Sequence, residues 1–424
     1  MSEQDASLDD FVEEQEETQP SLQEHDWDTK ELAQVADITM GTSPKSEYYN
    51  EDGNGLPFFQ SNDEFGFRSP THDRWCSNPR KIAQPGDLLM TIRGTYVGQT
   101  NIADRESCIG RGLAGITPGG PVNGEFLFQY LNYIEPYVKS IAIGSTFDSV
   151  SSAEIDSLEI DVPPIQEQRK IASVLYNVDQ AINTASKISE QVERVERGLQ
   201  QALFSGKHLD SDLKEISTLG EIPEHWGVRP MGEICEITMG SSPKSEHYNE
   251  SGDGLPFFQA NNEFGLRSPK HDRWCSNPVK TADENDSLMT LRGTYVGQMN
   301  TADRECCIGR GLAGISAGGP LLEEYLYQHL RRRERYVKSI AIGSTFDSVS
   351  SDDLERLQLA FPPEEEQKQI GDILKHVQER LIFTESYTDQ LQRFKQGLKQ
   401  DLLSGTVRTI DTNIEVLPEV EQYG

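Results

Sequence analysis

Two matched sets of polar side chains stand out in this 424-residue chain. The first is Lys45, Tyr48, Gln60, Asn62, Arg68, Arg93, Thr95, Tyr96 and Arg111. The second is Lys244, His247, Gln259, Asn261, Arg267, Arg292, Thr294, Tyr295 and Arg310, each 199 residues after its counterpart (292 − 93 = 199). Guanidinium, ammonium and carboxamide groups hydrogen-bond in multidentate patterns, and tyrosine adds an aromatic face. That is the chemistry of recognising a polar partner rather than of breaking a bond. Several of these residues lie in glycine-rich loops, as in Arg93-Gly94 and Gly110-Arg111-Gly112. Glycine lets backbone approach a ligand closely.

The groups that would make an enzyme are missing. No Gly-x-x-x-x-Gly-Lys-Ser/Thr phosphate loop occurs. Asp161-Val162-Pro163-Pro164-Ile165 looks superficially like the Asp-Pro-Pro-Tyr of adenine methyltransferases, but the extra valine and the missing aromatic spoil it. The second copy, Ala360-Phe361-Pro362-Pro363, also lacks the acid. No Ser-His-Asp order and no metal-ligand cluster is evident in both copies. His72, Cys76 and Cys108 do return as His271, Cys275 and Cys307, in a spacing that matches no common zinc motif. We therefore expect a chain that is not itself an enzyme and holds no metal or cofactor.

The elements that position these side chains are duplicated. Met-Gly-Thr-Ser-Pro-Lys-Ser-Glu at Met40 returns as Met-Gly-Ser-Ser-Pro-Lys-Ser-Glu at Met239, and Tyr137 to Asp148 returns unchanged as Tyr336 to Asp347. The offset holds without a gap from Trp27/Trp226 to Gly206/Gly405. A solenoid unit would repeat every ~20–50 residues, so this is a duplicated domain. Each repeat opens with short apolar runs, such as Leu88-Leu89-Met90-Thr91-Ile92, between turn signals such as Asp52-Gly53. That pattern predicts short strands and long loops, with one helix over Glu125–Val138, where Phe126, Tyr130, Tyr133, Ile134 and Tyr137 share a face.

After Pro163-Pro164 and Pro362-Pro363 the period changes. Ile171, Leu175, Val178, Ile182, Ala185, Ile188, Val192, Val195, Leu199 and Leu203 step by threes and fours. The second copy gives Ile370, Leu374, Val377, Leu381, Thr384, Tyr387, Leu391, Phe394, Leu398 and Leu402. Each run predicts a helix of roughly 60 Å at ~1.5 Å per residue, ended by Ser205-Gly206 or Ser404-Gly405. Two narrow stripes of equal length are best buried against each other. The expected fold class is therefore α+β: two mixed α/β domains and two long helices forming an intramolecular antiparallel coiled coil, with the domains related by a pseudo-twofold axis. The expected boundaries are an acidic tail at 1–24, domain one at 25–163, the first long helix at 164–206, a linker at 207–223, domain two at 224–362, the second long helix at 363–405 and a C-terminal tail at 406–424.

Composition bounds the setting. The 39 basic and 70 acidic residues give a net charge of −31. Ten of those acids lie in the first 26 residues, which hold no Lys or Arg, so the remainder is still at −31 + 10 = −21. Acidic chains disfavour nucleic acid. They also suit high salt, where repulsion is screened. There is no apolar run of 18 residues and no visible signal peptide. The six cysteines form no C-x-x-C pair and read as reduced thiols. A cytoplasmic location without membrane contact is expected.

One order of motifs is specific. Trp27/Trp226, the Gly-x-Ser-Pro at Gly41/Gly240, Leu-Met-Thr-Ile/Leu-Arg-Gly-Thr at Leu89/Leu288 and Gly-Ser-Thr at Gly144/Gly343 are followed by Pro-Pro-x-x-Glu-Gln and the long helix. In this the chain resembles the specificity subunit of Type I restriction–modification systems over nearly its whole length. The resemblance implies two target recognition domains, each reading one half of a split site in double-stranded DNA. It implies helices that act as a ruler and dock two modification subunits that methylate adenine. Restriction motor–nuclease subunits would join them, with S-adenosylmethionine, ATP and Mg on those partners. The two residue sets above become the candidate DNA contacts, since Arg or Lys suits guanine and Asn or Gln suits adenine.

The two domains of such subunits usually differ, whereas here they match far more than a shared fold needs. We therefore expect a near-palindromic bipartite site and a halophilic prokaryotic source. Tyr48/His247, Asn54/Asp253, Asp63/Asn262, Thr71/Lys270 and Arg80/Val279 differ between the copies. Phe58-Phe59, Trp75 and Trp274 read as core, and Arg331-Arg332-Arg333 as a solvated helix face. The competing reading is a coiled-coil adaptor whose globules bind protein or glycan, which the acidic charge favours and the motif order disfavours. A single-chain restriction–modification enzyme lacks its catalytic motifs.

Overall fold

The computed structural model describes residues 27–143, 149–341 and 348–421. The acidic tail expected at 1–24 and the Gly-Ser-Thr motifs at Gly144 and Gly343 lie outside the described residues. The chain forms two compact units. The first joins the chain up to Ala185 with the chain from Tyr387 onward, and the second is Ser186–Ser386.

In the first unit Asp28–Glu31 pairs antiparallel with Glu159–Val162 and closes the globule just before the double proline. A four-stranded sheet runs Ala36–Met40, Leu113–Pro118, Leu88–Thr91, Thr100–Ile102. All four residues of Leu88–Thr91 are buried, as an unbroken apolar run between two neighbouring strands requires. A five-stranded sheet runs Tyr49–Asn50, Trp75–Cys76, Leu56–Phe59, Ser107–Ile109, Ile82–Ala83, with one parallel pairing at Phe58↔Cys108. The second unit repeats both sheets, as Cys235–Met239 to Met299–Thr301 and Tyr248–Asn249 to Thr281–Ala282.

The helix expected over Glu125–Val138 is two helices, Gly124–Tyr133 and Glu135–Ile143. Pro136 has no N–H to continue the first, but fits the opening turn of the second. Asn123 caps the first by accepting from Phe126 N at 3.0 Å.

The long helices span Ile165–Ser205 and Glu364–Leu403, and Gly206 (φ 62°) and Gly405 (φ 72°) end them in the left-handed region. In the first unit Ile171, Ala172 and Leu175, at the start of one, share a core with Leu402 and Leu403, at the end of the other. In the second unit Leu203 and Phe204 share a core with Ile370 and Leu374. Start meets end in each, so the pairing is antiparallel. The seam differs from the heptad series in one respect: Val195, Tyr387 and Phe394 are exposed, whereas Asp179 and Glu196 are buried. Those two carboxylates have cationic partners, which lets charge replace apolar packing.

The segments after the helices are built into the units. The linker expected at 207–223 carries a hairpin, Leu213–Ile216 with Gly220–Pro223, and Ile222 enters the second unit's core. Val420 in the C-terminal segment is buried in the first unit's core.

Candidate nucleic-acid interface

The side chains of Arg93, Thr95 and Tyr96 leave one tight turn. Its base is the buried strand end at Thr91, whose hydroxyl donates to Tyr96 O and to Gln99 O, and whose carbonyl accepts from Gly98 N at 2.9 Å. Gly94 (φ 85°) bends the chain where a side chain would be strained. Val97 then anchors in the core, leaving Arg93 to Tyr96 exposed. Arg292 to Tyr295 repeat the arrangement, with Thr290 at the base and Gly293 at φ 79°. Tyr96 and Tyr295 are 53% and 56% exposed.

Two further loops converge on this turn. Ile92 N donates to Gly112 O at 2.9 Å, which places Arg111 beside Arg93's strand end. Arg111 N donates to Ser43 Oγ at 3.1 Å, and Gly110 N to Phe59 O at 2.8 Å. A Cβ on Gly112 would lie 2.2 Å from Gln60 O, so only glycine allows the contact. Lys45, Gln60, Arg93, Thr95, Tyr96 and Arg111 thus belong to neighbouring loops at one end of the sheets. Asn62 opens the next turn, which Ser61 and Glu64 cap reciprocally. In the second unit Leu291 N–Gly311 O (2.8 Å), Arg310 N–Ser242 Oγ (3.3 Å) and Gly309 N–Phe258 O (2.8 Å) bring together Lys244, Gln259, Arg292, Thr294, Tyr295 and Arg310, and Asn261 opens the next turn. Among the described residues no carboxylate pairs with Arg93, Arg111, Arg292 or Arg310. Lys45 and Lys244 have only loose, exposed contacts with Glu47 and Glu246, at 3.6 and 3.7 Å. Tyr48 is half-buried against Phe58, Cys76 and Cys108, and His247 lies 3.4 Å from Asn277 Nδ2.

Arg68 and Arg267 are turned inward instead. Arg68 binds Glu125 and, at 3.0 Å, Asp179 Oδ2, and its guanidinium lies between the Phe128 and Tyr176 rings at 4.9 and 4.8 Å. Arg267 binds Glu324 and, at 2.8 Å, Gln378 Oε1, over the Tyr327 ring. Burial raises the Glu125 carboxyl's pKa against the pull of Arg68. These arginines fasten each loop region to its long helix, through Asp179 in one unit and Gln378 in the other, partners far away in sequence.

Phe58 and Phe59 are fully buried, as expected, but Trp75 and Trp274 are half-buried. The Arg331-Arg332-Arg333 run is not a solvated face. Arg331 binds Glu196, Arg332 lies over Phe204, and buried Arg333 donates to Gln358 O at 3.1 Å. His72 pairs with Asp104 at 3.1 Å and His271 with Asp303 at 2.9 Å. Burial pushes the Cys108 and Cys307 thiols up to about 12.

The Glu-Gln pair at each helix start proves to be a joint. Gln168 accepts from Asn123 N at 2.7 Å and donates to Pro121 O and Pro163 O. Glu167 takes the fork of Arg408 at 2.9 and 2.8 Å. Gln367 makes the same contacts with Leu322 N, Pro320 O and Pro362 O. Arg408 left no signal in the sequence, because its aligned position in the first repeat is Leu209 (408 − 199 = 209).

Comparison with known proteins agrees with this construction. The Type I restriction modification DNA specificity domain matches residues 24–194 and again 223–393. A Methanocaldococcus jannaschii protein named as the putative MjaX type I restriction enzyme specificity subunit is 31% identical over 275 residues, spanning 64% of this chain and 64% of that protein. The MjaIX specificity subunit of the same organism is 23% identical over 419 residues, 90% of this chain and 94% of its own. The crystal structure of the Type I restriction–modification S subunit from M. genitalium shares the fold, with a TM-score of 0.66 at 16% identity over 91% of this chain and 98% of that one. A chain from a structural study of assembly and conformational transition in the type I system gives 0.51 at 23% identity, over 90% and 98%.

Proposed function

We propose, for a chain that belongs to the family of Type I restriction–modification DNA specificity domains, that each globule reads one half of a split DNA site through its converging loops. The observation that carries this is the exposed Arg-Gly-Thr-Tyr turn beside the Gly-Arg-Gly turn, built alike in both units, with guanidinium groups that no carboxylate neutralises among the described residues. Such groups suit bidentate contact with guanine and contact with phosphates. The chain itself is the non-catalytic subunit. The long helices serve as the spacer between the half-sites and dock the modification subunits, for which exposed Phe394 in one unit and exposed Ile373 and Val195 in the other offer apolar surface. Motor–nuclease subunits complete the assembly. S-adenosylmethionine, ATP and Mg belong to those partners, and this chain binds none of them.

Because the loop sets match nearly residue for residue, the two half-sites are near-inverted copies, with Tyr48/His247 and Thr71/Lys270 as positions where they diverge. The setting is the cytoplasm of a prokaryotic host, where the complex serves defence. A high-salt interior accounts for the acidic surface on a DNA-binding chain. Sequencing the host genome for methylated adenines, with and without this gene, tests the reading. Loss of one split, near-palindromic motif on deletion is the expected result. An asymmetric motif would overturn the inverted-copy inference alone. An unchanged methylome, with the partners expressed, would overturn the recognition role.

A further inference from the structure

The two repeats diverge along the long helices, and the differences at one place there are matched in charge. In the first unit Lys395, from the second helix, meets Asp179, from the first, at 2.5 Å, and Lys399 donates to Asn132 O at 2.8 Å. In the second unit Glu196, from the first helix, meets Arg331. These are equivalent positions: 395 − 199 = 196, 399 − 199 = 200, 331 − 199 = 132 and 378 − 199 = 179. The first unit therefore holds Asp179, Lys395, Lys399 and Asn132 where the second holds Gln378, Glu196, Gln200 and Arg331. Asp179 and Glu196 are 4% and 5% exposed, so a mismatch would be felt at low dielectric.

We propose that these residues form a charge code that makes repeat one pair with repeat two and refuse a second copy of itself. If the helix end of repeat one packed on another repeat one, Glu196 would face Asp179 with Lys395 gone, leaving only Arg68, which Glu125 already shares and which Arg267 matches in the other repeat. If repeat two packed on another repeat two, Lys395 and Lys399 would face Arg331 beside the neutral Gln378. Glu135 and Glu334 flank the two sites at aligned positions and do not discriminate. The tails agree with the code. Arg408, which follows the second helix, forks onto buried Glu167 of the first repeat. Leu209, its counterpart after the first helix, could not, and Glu366 is met instead by His225 at 2.9 Å. Repeats that share one fold otherwise invite exchange between chains, and like-charge contact in the wrong pairing is an effective way to prevent it.

The test uses the full chain and native mass spectrometry at tens of micromolar. Wild type is expected to run as one chain. The swap E196K/K395E places like charges together in both natural pairings and opposite charges in both homotypic ones, and is expected to give a two-chain species. The variant N132R/D179Q/E196K/R331E/K395E rewrites the code with reversed polarity, keeping for Arg68 the carboxamide partner that Arg267 already has. It is expected to return to one chain. A two-chain wild type, a swap that gives no two-chain species (by staying single or by aggregating) or a rewritten variant that stays two-chain or does not fold would each overturn the proposal.

Discussion

Trp27 Nε1 donates to Glu167 Oε2 at 3.2 Å across 140 positions, and Trp226 Nε1 donates to Glu366 Oε2 at 2.9 Å across the same interval. One hydrogen bond thus ties the entry of each globule to the first turn of its long helix, where a carboxylate also faces the positive end of the helix dipole. In the first unit Arg408 and Thr409 N complete the carboxylate's shell.

Glu167→Gln should lower the thermal midpoint through loss of a charged hydrogen-bond set, at a cost of about 1–3 kcal/mol. Burial pushes the Glu167 carboxyl up, but Arg408, Thr409 N and Trp27 outweigh it and hold it below its usual value. A lowered carboxyl stabilises the fold above its unfolded pKa, about 4.3, and loses that contribution as pH falls through the folded value. The gap between wild type and variant in urea melts should be full at pH 7 and should shrink below about pH 4.

Lys399 gives the opposite slope. Burial, with Lys395 beside it, lowers its ammonium to about 8 despite Glu135 and Asp179. Between about pH 8 and the unfolded value near 10.4, the unfolded chain holds a proton that the native chain has shed, so this group's contribution rises with pH. Stability of wild type relative to Lys399→Met should increase across that window. A flat difference would mean that the lysine is solvated in the folded state.

Arg93→Ala and Arg292→Ala should each weaken binding to the cognate duplex by about 1–3 kcal/mol, roughly 5- to 150-fold, as for loss of a base contact. Because both side chains leave exposed turns, the melting temperature should hold within a degree or two. Titrations at one fixed salt concentration, alongside calorimetry, separate the two effects.

Arg68→Ala and Arg267→Ala should do the reverse. Removing Arg68 leaves Glu125, whose side chain is fully buried, without its cation, a loss of about 3–5 kcal/mol for a buried pair broken on one side. The expected readout is a marked fall in melting temperature. DNA affinity lost without any change in stability would show that the guanidinium turns outward to the duplex.

How much of this was legible in the order of residues follows from what each feature depends on. The duplicated domain, the long helices and the missing catalytic motifs are properties of spacing and periodicity, and they are read along the chain. Gly94, Gly112 and their counterparts marked the loops correctly, because the demand for a bare backbone falls on the residue itself. The broken helix at Ile134 was also signalled, by Pro136, but the shared aromatic face was the louder signal.

What the tertiary structure alone decided is partnership. Arg68 and Arg93 look alike in sequence, each a basic residue repeated at the same offset. Their fates separate because Glu125 and Asp179 wait 57 and 111 positions beyond Arg68, while nothing comparable meets Arg93 among the described residues. Arg408 meets Glu167 across 241 positions, and Asp179 and Glu196 are buried because cations from distant segments reach them. A residue's type and local period set what it can bond. Which partner closes the bond is fixed by the packing that brings remote segments together, and no local pattern records it.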